Sequence, residues 1–269
     1  MKRQYNIIPN YYSPMCGDWG NGLIESCESS HGIIYRGCNF HCGFCNNSFH
    51  KKDLYKEYST DEFIANLISL MPRSKHFKFS GGEQTINPFL KEDLRIVKEL
   101  GGYTFLDSNG SKPQVIRELI NERLVDVLGI SLKGLTADEA ANVSHVRKTE
   151  LCWENVLETI KFASQTPDLR VIITYVFFNS ADIHTLEKFA GIIEDYDNVI
   201  LKLNNLLHDK HHMDDLKPVD HSYFMNFIHT FIDNNPLWKG RTIIVNTEKA
   251  ITNYDDIIFM SHECGIFVH

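Results

Sequence analysis

Cys38, Cys42 and Cys45 lie in the stretch 35–47, YRGCNFHCGFCNN, with the spacing C-x3-C-x2-C on a glycine-containing loop. Three thiols so close together have two chemical readings. As thiolates they can ligate three irons of a [4Fe–4S] cube and leave the fourth iron open. Alternatively, they can join a histidine, His41 or His50, around zinc, which takes four nitrogen or sulfur ligands. Electron-transfer clusters mostly use four cysteines, so a set that stops at three suggests an iron kept free for a small molecule. Cys16, Cys27, Cys152 and Cys264 form no close C-x2-C pair and read as core or near-surface thiols.

Such a loop needs a rigid support, and the surrounding pattern supplies one. The run 31–36 (HGIIYR) reads as a strand that ends at the cysteines. Strands are predicted again at 75–80, 103–107, 125–132, 169–178 and 199–203. Helical periodicity occupies 60–71, where Phe63, Ile64, Leu67 and Leu70 share a face and Ser59 or Thr60 can cap the start. Further helices are expected at 90–100, 113–123, 150–164, 184–194 and 221–234, and a strand at 242–245. Six strands alternating with helices predict right-handed βαβ crossovers and a parallel sheet, short of a closed eight-unit barrel. Residues 1–30, with Pro9 and Pro14, are expected to be an irregular lead-in, 31–210 the core domain, and 211–269 a C-terminal extension.

In parallel α/β folds, ligands sit at the carboxyl ends of the strands. Four polar features fall there: the Cys loop, Gly81-Gly82-Glu83, Asp107-Ser108-Asn109 and Ser131-Leu132-Lys133. Each alone has a plain structural reading. Gly-Gly after a strand is a turn, Asn-Gly favours an Asx turn, and a lysine at a strand end is commonly solvated. Their convergence on one rim points to one site.

The Cys triplet, with Phe44 before its last cysteine, resembles the signature of the radical S-adenosylmethionine (SAM) enzymes. That resemblance implies a partial (β/α)6 TIM-type barrel over about 31–210, carrying a [4Fe–4S] cluster and SAM. It further implies reductive cleavage of SAM to a 5′-deoxyadenosyl radical that takes a hydrogen atom from the substrate. Gly81, Gly82 and Glu83 stand where the family holds the methionine amino group with its GGE motif, and Phe44 stands where an aromatic approaches the adenine. Asp107-Ser108-Asn109-Gly110 is similar to the LDTNG-type stretch of the glycyl radical enzyme activases, which lies beside SAM and a monovalent cation. Lys133 matches the lysine of their Asp-x-Lys, but Ser131 replaces the aspartate. His145 and Asn155 resemble an activase loop and the helix that follows it. Arg170, Thr174 or Tyr175 falls on the strand where the family often contacts SAM, and the loop with His208, His211, His212, Asp214 and Asp215 is expected to cover the mouth.

The implied partners are an external one-electron reductant of flavodoxin or ferredoxin type and a substrate. An activase would act on a glycine of a large protein. Modification of a peptide or small molecule is the competing reading, and a non-catalytic zinc protein a third. The net charge of −8 argues against general nucleic-acid binding. No apolar run approaches the roughly 18 residues of a membrane span, and the N-terminus lacks a signal-peptide core. A cytoplasmic protein is therefore expected, in which seven cysteines serve as ligands or buried thiols rather than disulfides.

Overall fold

A computed structural model of the chain describes residues 3–12, 29–45, 55–147, 153–179, 182–206, 216–245, 253–254 and 257–260. Cys16, Cys27, His50, Cys152 and Cys264 lie outside these residues, as does the loop from 207 to 215 with its histidines and aspartates.

The predicted strands form in order. They are β2 (Ser29–Tyr35), β4 (His76–Gly81), β5 (Tyr103–Ser108), β6 (Val127–Ser131), β7 (Arg170–Phe177), β8 (Val199–Asn205) and β9 (Thr242–Val245). All seven run parallel, in the spatial order β9-β8-β7-β6-β5-β4-β2. β11 (Ile257–Met260) extends the parallel run, and β10 (Asn253–Tyr254) closes that edge antiparallel. The result is the parallel sheet that the alternation predicts, in the mixed α/β, partial TIM-type barrel that the resemblance implies.

Among the described residues seven α-helices connect or flank the strands: α1 (Thr60–Leu70), α2 (Leu90–Glu99), α3 (Pro113–Asn121), α4 (Ala137–Ser144), α5 (Trp153–Ser164), α6 (Ile183–Ala190) and α7 (His221–Asn234). α1 starts in a full capping box. Ser59 Oγ accepts from the Glu62 N–H at 3.2 Å, and the Glu62 carboxylate accepts from the Ser59 N–H at 2.8 Å. Its Phe63, Leu67 and Leu70 are buried, each side chain contributing about 1.5–3 kcal/mol.

Several elements depart from expectation, the first strand and α4 among them. Residues 3–12, expected as irregular, form β1 (Arg3–Tyr12), antiparallel to β2 and followed at the sheet edge by β3 (Lys56–Tyr58). Pro9 does not end the strand because it falls where the pairing is interrupted: Ile8 pairs with Gly32, and the next pair is Tyr11 with Ser30. At such an irregularity a missing N–H is tolerated. β1 is held by a buried cluster. Asp93 of α2 accepts from Arg3 Nε at 2.9 Å, from Tyr35 Oη at 2.7 Å and from Tyr5 Oη. The second departure is α4, whose start Thr136 caps by accepting from the Glu139 N–H at 3.2 Å.

The sheet has two distinct faces. Tyr35, Phe77, Phe79, Leu106, Ile130, Ile173, Leu201 and Leu203 join the core packed against the helices. Their alternates Ile34, Lys78, Ser80, Phe105, Asp107, Ile172, Lys202 and Asn204 are presented to the opposite face, the barrel interior.

Candidate active site

The Cys loop is tied to two neighbours, the ends of β4 and α4, by its backbone. The Gly82 N–H donates to Tyr35 O at 3.0 Å, and the Glu83 N–H to Gly37 O at 2.8 Å. These bonds seat the end of β4 against the start of the loop. On the other side, the N–H groups of His41 and Gly43 donate to the carbonyls of Ser144 and Val143, both at 3.0 Å. The last carbonyls of α4 are thereby satisfied by the loop that carries the thiols. His145 ends α4 in the left-handed region with φ 53°.

Close approach explains both glycines of the first rim motif. Gly81 has φ 113°, and a Cβ there would lie 2.4 Å from Tyr35 O. On Gly82 it would lie 1.7 Å from Gly37 O. Neither position has space for a side chain.

Glu83 is buried, 2% exposed, and acts as a knot between strand ends. Oε1 accepts from Ser108 Oγ at 2.8 Å and from Thr85 Oγ1 and N at 2.5 and 3.2 Å. Oε2 accepts from the Asn109 N–H at 2.7 Å. Burial pushes its pKa up, opposed by these donors. Asn109 extends the knot to the Cys loop by donating from Nδ2 to Asn39 Oδ1 at 2.8 Å, while Asn39 Nδ2 donates to Ser111 Oγ at 2.9 Å. α5 supports the same turn, with Thr159 Oγ1 donating to Gly110 O at 2.7 Å and Asn155 Nδ2 to Ser111 O at 3.4 Å.

Phe44 is buried with Val143 and Leu206. The Lys133 ammonium lies 5.4 Å from its ring centroid, a cation–π distance. Ser131 ends β6, and the following Leu132 N–H donates to Thr174 O at 2.8 Å. The rim residues singled out in the sequence are thus brought together. The fifth-strand candidates separate. Thr174 faces the interior, Arg170 begins β7 at the end far from the rim, and Tyr175 turns to the helices, where its hydroxyl donates to Glu139 at 2.7 Å.

Burial pushes the Cys38 thiol up to about 11 and raises that of Cys42, with the Lys133 charge opposing both. Metal binding must therefore displace thiol protons. No three His, Cys, Asp or Glu side chains among the described residues are arranged to hold one ion. Zinc needs its ligands gathered at about 2.0–2.3 Å from one point, whereas a [4Fe–4S] cube takes each thiolate on a different iron. Three thiolates on one pinned loop could each take a different iron of such a cube.

The model of the radical SAM superfamily matches residues 33–193, from β2 through the helix after β7. The chain belongs to this superfamily. It is therefore a radical SAM enzyme, and the family's cofactors are SAM and a [4Fe–4S] cluster. A protein of Methanocaldococcus jannaschii, provisionally named a glycyl-radical enzyme activating enzyme, is 26% identical over 205 residues, covering 68% of this chain and 76% of the relative. A second protein of that organism, with the same provisional name, is 35% identical over 102 residues, or 38% of this chain and 42% of the relative. Among solved structures, Streptococcus suis SuiB bound to its precursor peptide SuiA aligns with a TM-score of 0.62 at 15% identity. It covers 80% of this chain and 48% of SuiB, a likeness of fold. No helix among the described residues is long and apolar enough to cross a membrane.

The sequence reading of this radical SAM enzyme overlooked two residues of the barrel interior. Lys78 on β4 forms an ion pair with Asp107 at 3.1 Å and lies 4.2 Å from the Phe105 ring centroid. Lys202 on β8 is 6% exposed and faces the same pair, and its pKa is lowered to about 7 by burial first and by the Lys78 charge second. Lysines are seldom this buried without a partner, yet in a strand rich in apolar residues nothing in the one-dimensional pattern marks the side it faces.

Proposed function

We propose that this radical SAM enzyme is a glycyl radical enzyme activase, removing a hydrogen atom from a glycine Cα of a protein partner. The observation that carries the reading is the LDSNG stretch at the end of β5. It resembles the activases' LDTNG and is bonded to both Glu83 and the Cys loop. The provisional names of the two M. jannaschii relatives support it.

In this reading Cys38, Cys42 and Cys45 hold the cluster. Gly81, Gly82 and Glu83 receive the methionine end of SAM, with Asp107, Ser108, Asn109, Ser131, Lys133 and His145 around it and Phe44 beside the adenine. A reduced [4Fe–4S] cluster held by these thiolates would supply the single electron for cleaving SAM, with methionine and 5′-deoxyadenosine as the products once the substrate has given up its hydrogen. The chain's own part is positional. Glu83, with its four donors in place, fixes the ends of β4 and β5 without a mobile charge at the rim. The apolar packing of Phe44 with Val143 and Leu206 excludes water beside the loop. An external flavodoxin- or ferredoxin-type protein supplies the electron.

Anaerobic reconstitution tests the first layer. Iron–sulfur absorbance and dithionite-driven 5′-deoxyadenosine formation are expected, and both are lost in Cys42→Ala. The activase layer is tested by mixing with glycyl radical enzyme candidates encoded beside this gene. A glycyl-radical EPR doublet is expected, and SAM cleavage without a doublet on any of them refutes the reading. A second reading, modification of a peptide or small molecule, is favoured by Ser131 in place of the activases' aspartate, and predicts a modified product without a stored protein radical.

A further inference from the structure

Two polar groups on β8 are aimed into the barrel without partners among the described residues. Asn204 is 9% exposed, and its Oδ1 is buried with no hydrogen-bond donor. Lys202, two residues earlier on the same face, is 6% exposed and has no hydrogen-bond or ion-pair partner among the described residues. The charged groups that face it are Lys78 from β4 and Asp107 from β5. Asp107 is already engaged, accepting from Ser80 Oγ at 2.8 Å and pairing with Lys78. The flanking strands present Thr174 and Ile243 at the same level. Two lysines thus share one partly exposed carboxylate, and an unpaired amine on the buried Lys202 is a standing cost.

Both orphans lie within three residues of the end of β8, below the rim that the Cys loop and Glu83 occupy. One is a cation lacking an anion, the other an acceptor lacking a donor, about two strand residues or roughly 7 Å apart along the backbone. A ligand that satisfies both carries an acidic group at its deep end and an O–H or N–H nearer the mouth.

We propose that Lys202 and Asn204 form the substrate-recognition row of this barrel, Lys202 binding a carboxylate of the substrate and Asn204 accepting a hydrogen bond from the same molecule. This rests on the reading that the substrate of the radical enters the barrel, which both forms of the proposed function share. It adds that the substrate is an acid, supplied either as a free small carboxylate or as an acidic side chain of a polypeptide.

The test is calorimetric titration of the reconstituted, SAM-saturated enzyme at pH 8, in two buffers of different ionisation enthalpy. The probes are succinate, malate and acetyl-Glu-Gly-amide, each acid against its neutral twin, succinamide, malamide or acetyl-Gln-Gly-amide. An amine of pKa about 7 is mostly neutral at pH 8, so carboxylate binding is expected to draw in up to about 0.9 proton. At least one acid is expected to bind tenfold or more tightly than its twin. Lys202→Met abolishes preference and uptake together, whereas Lys202→Arg keeps the preference and loses the uptake. Malate is expected to exceed succinate, an advantage lost in Asn204→Ala. Preference for succinate and malate only identifies a free small acid, and preference for the peptide only an acidic side chain. No preference for any acid, or preference and uptake unchanged in Lys202→Met, overturns the proposal. 5′-Deoxyadenosine formation without added substrate is scored separately, so failure of the radical chemistry is distinguishable from failure of acid binding.

Discussion

Replacing Lys202 by methionine is expected to stabilise the fold at neutral pH, and by an amount that fades as pH rises. The amine has a pKa of 10.5 when unfolded and about 7 in the barrel. Between those values the unfolded chain holds a proton that the folded chain has lost, so the stability of the native protein increases with pH across that window. Below about pH 7 the full cost is present. At 1.36 kcal/mol per pKa unit, the penalty at pH 7 is on the order of 4 kcal/mol, falling to about 1 kcal/mol at pH 9.5. Methionine matches the lysine stem in volume and needs no partner, so removal of the amine recovers most of this. Urea denaturation of wild type and Lys202→Met at the two pH values reads the difference directly. A variant less stable than wild type at pH 7, or a gain that does not shrink toward pH 9.5, refutes the claim that Lys202 is an uncompensated buried amine.

Three further outcomes follow from the geometry. Gly82→Ala places a methyl 1.7 Å from Gly37 O and must push the Cys loop off β4, so SAM cleavage is expected to fall roughly a hundredfold, with lowered iron content after reconstitution. His145→Ala keeps the Cβ and so the left-handed strain that His145 already bears, whereas His145→Gly is expected to relieve about 1 kcal/mol of it, so activity lost in the glycine variant belongs to the imidazole; denaturation and SAM-cleavage assays on the pair separate the two. Asp93→Asn leaves Arg3 without its buried carboxylate partner and is expected to cost about 3 kcal/mol, with proteolysis beginning in β1 rather than in the core; unchanged denaturation would show that the cluster does not hold β1.

The rim was legible in the sequence because its chemistry is local. Cys38, Cys42 and Cys45 are fixed by spacing, and Gly81 and Gly82 are glycines for a reason that the backbone distances to Tyr35 and Gly37 make plain. Strand order followed from alternation. β1 was hidden because Pro9 reads as a terminator when the register interruption that accommodates it cannot be seen. The helix at Ala137–Ser144 carried its signal, Thr136 followed three residues later by Glu139, but its eight residues give little periodicity. Lys78 and Lys202 were hidden for a deeper reason. Every residue of β8 is buried, so no polar–apolar alternation marks a face. Their meeting across the barrel is a tertiary fact.

The contrast between Glu83 and Lys202 separates two kinds of buried charge. Glu83 has four donors on its two oxygens, so its carboxylate is fixed in place before SAM arrives and meets the methionine end in a set geometry. Lys202 has none among the described residues, and in this proposal its site is complete only when the substrate enters. A rim that must present the same reagent at every turnover gains from the first arrangement, because a satisfied network is rigid. A floor that must select a substrate gains from the second. An unpaired buried amine and an unpaired amide oxygen each cost stability when the barrel is empty, and each penalises a molecule that lacks the matching group. The stability gained by Lys202→Met and the substrate discrimination lost with it should therefore arise from the same buried amine.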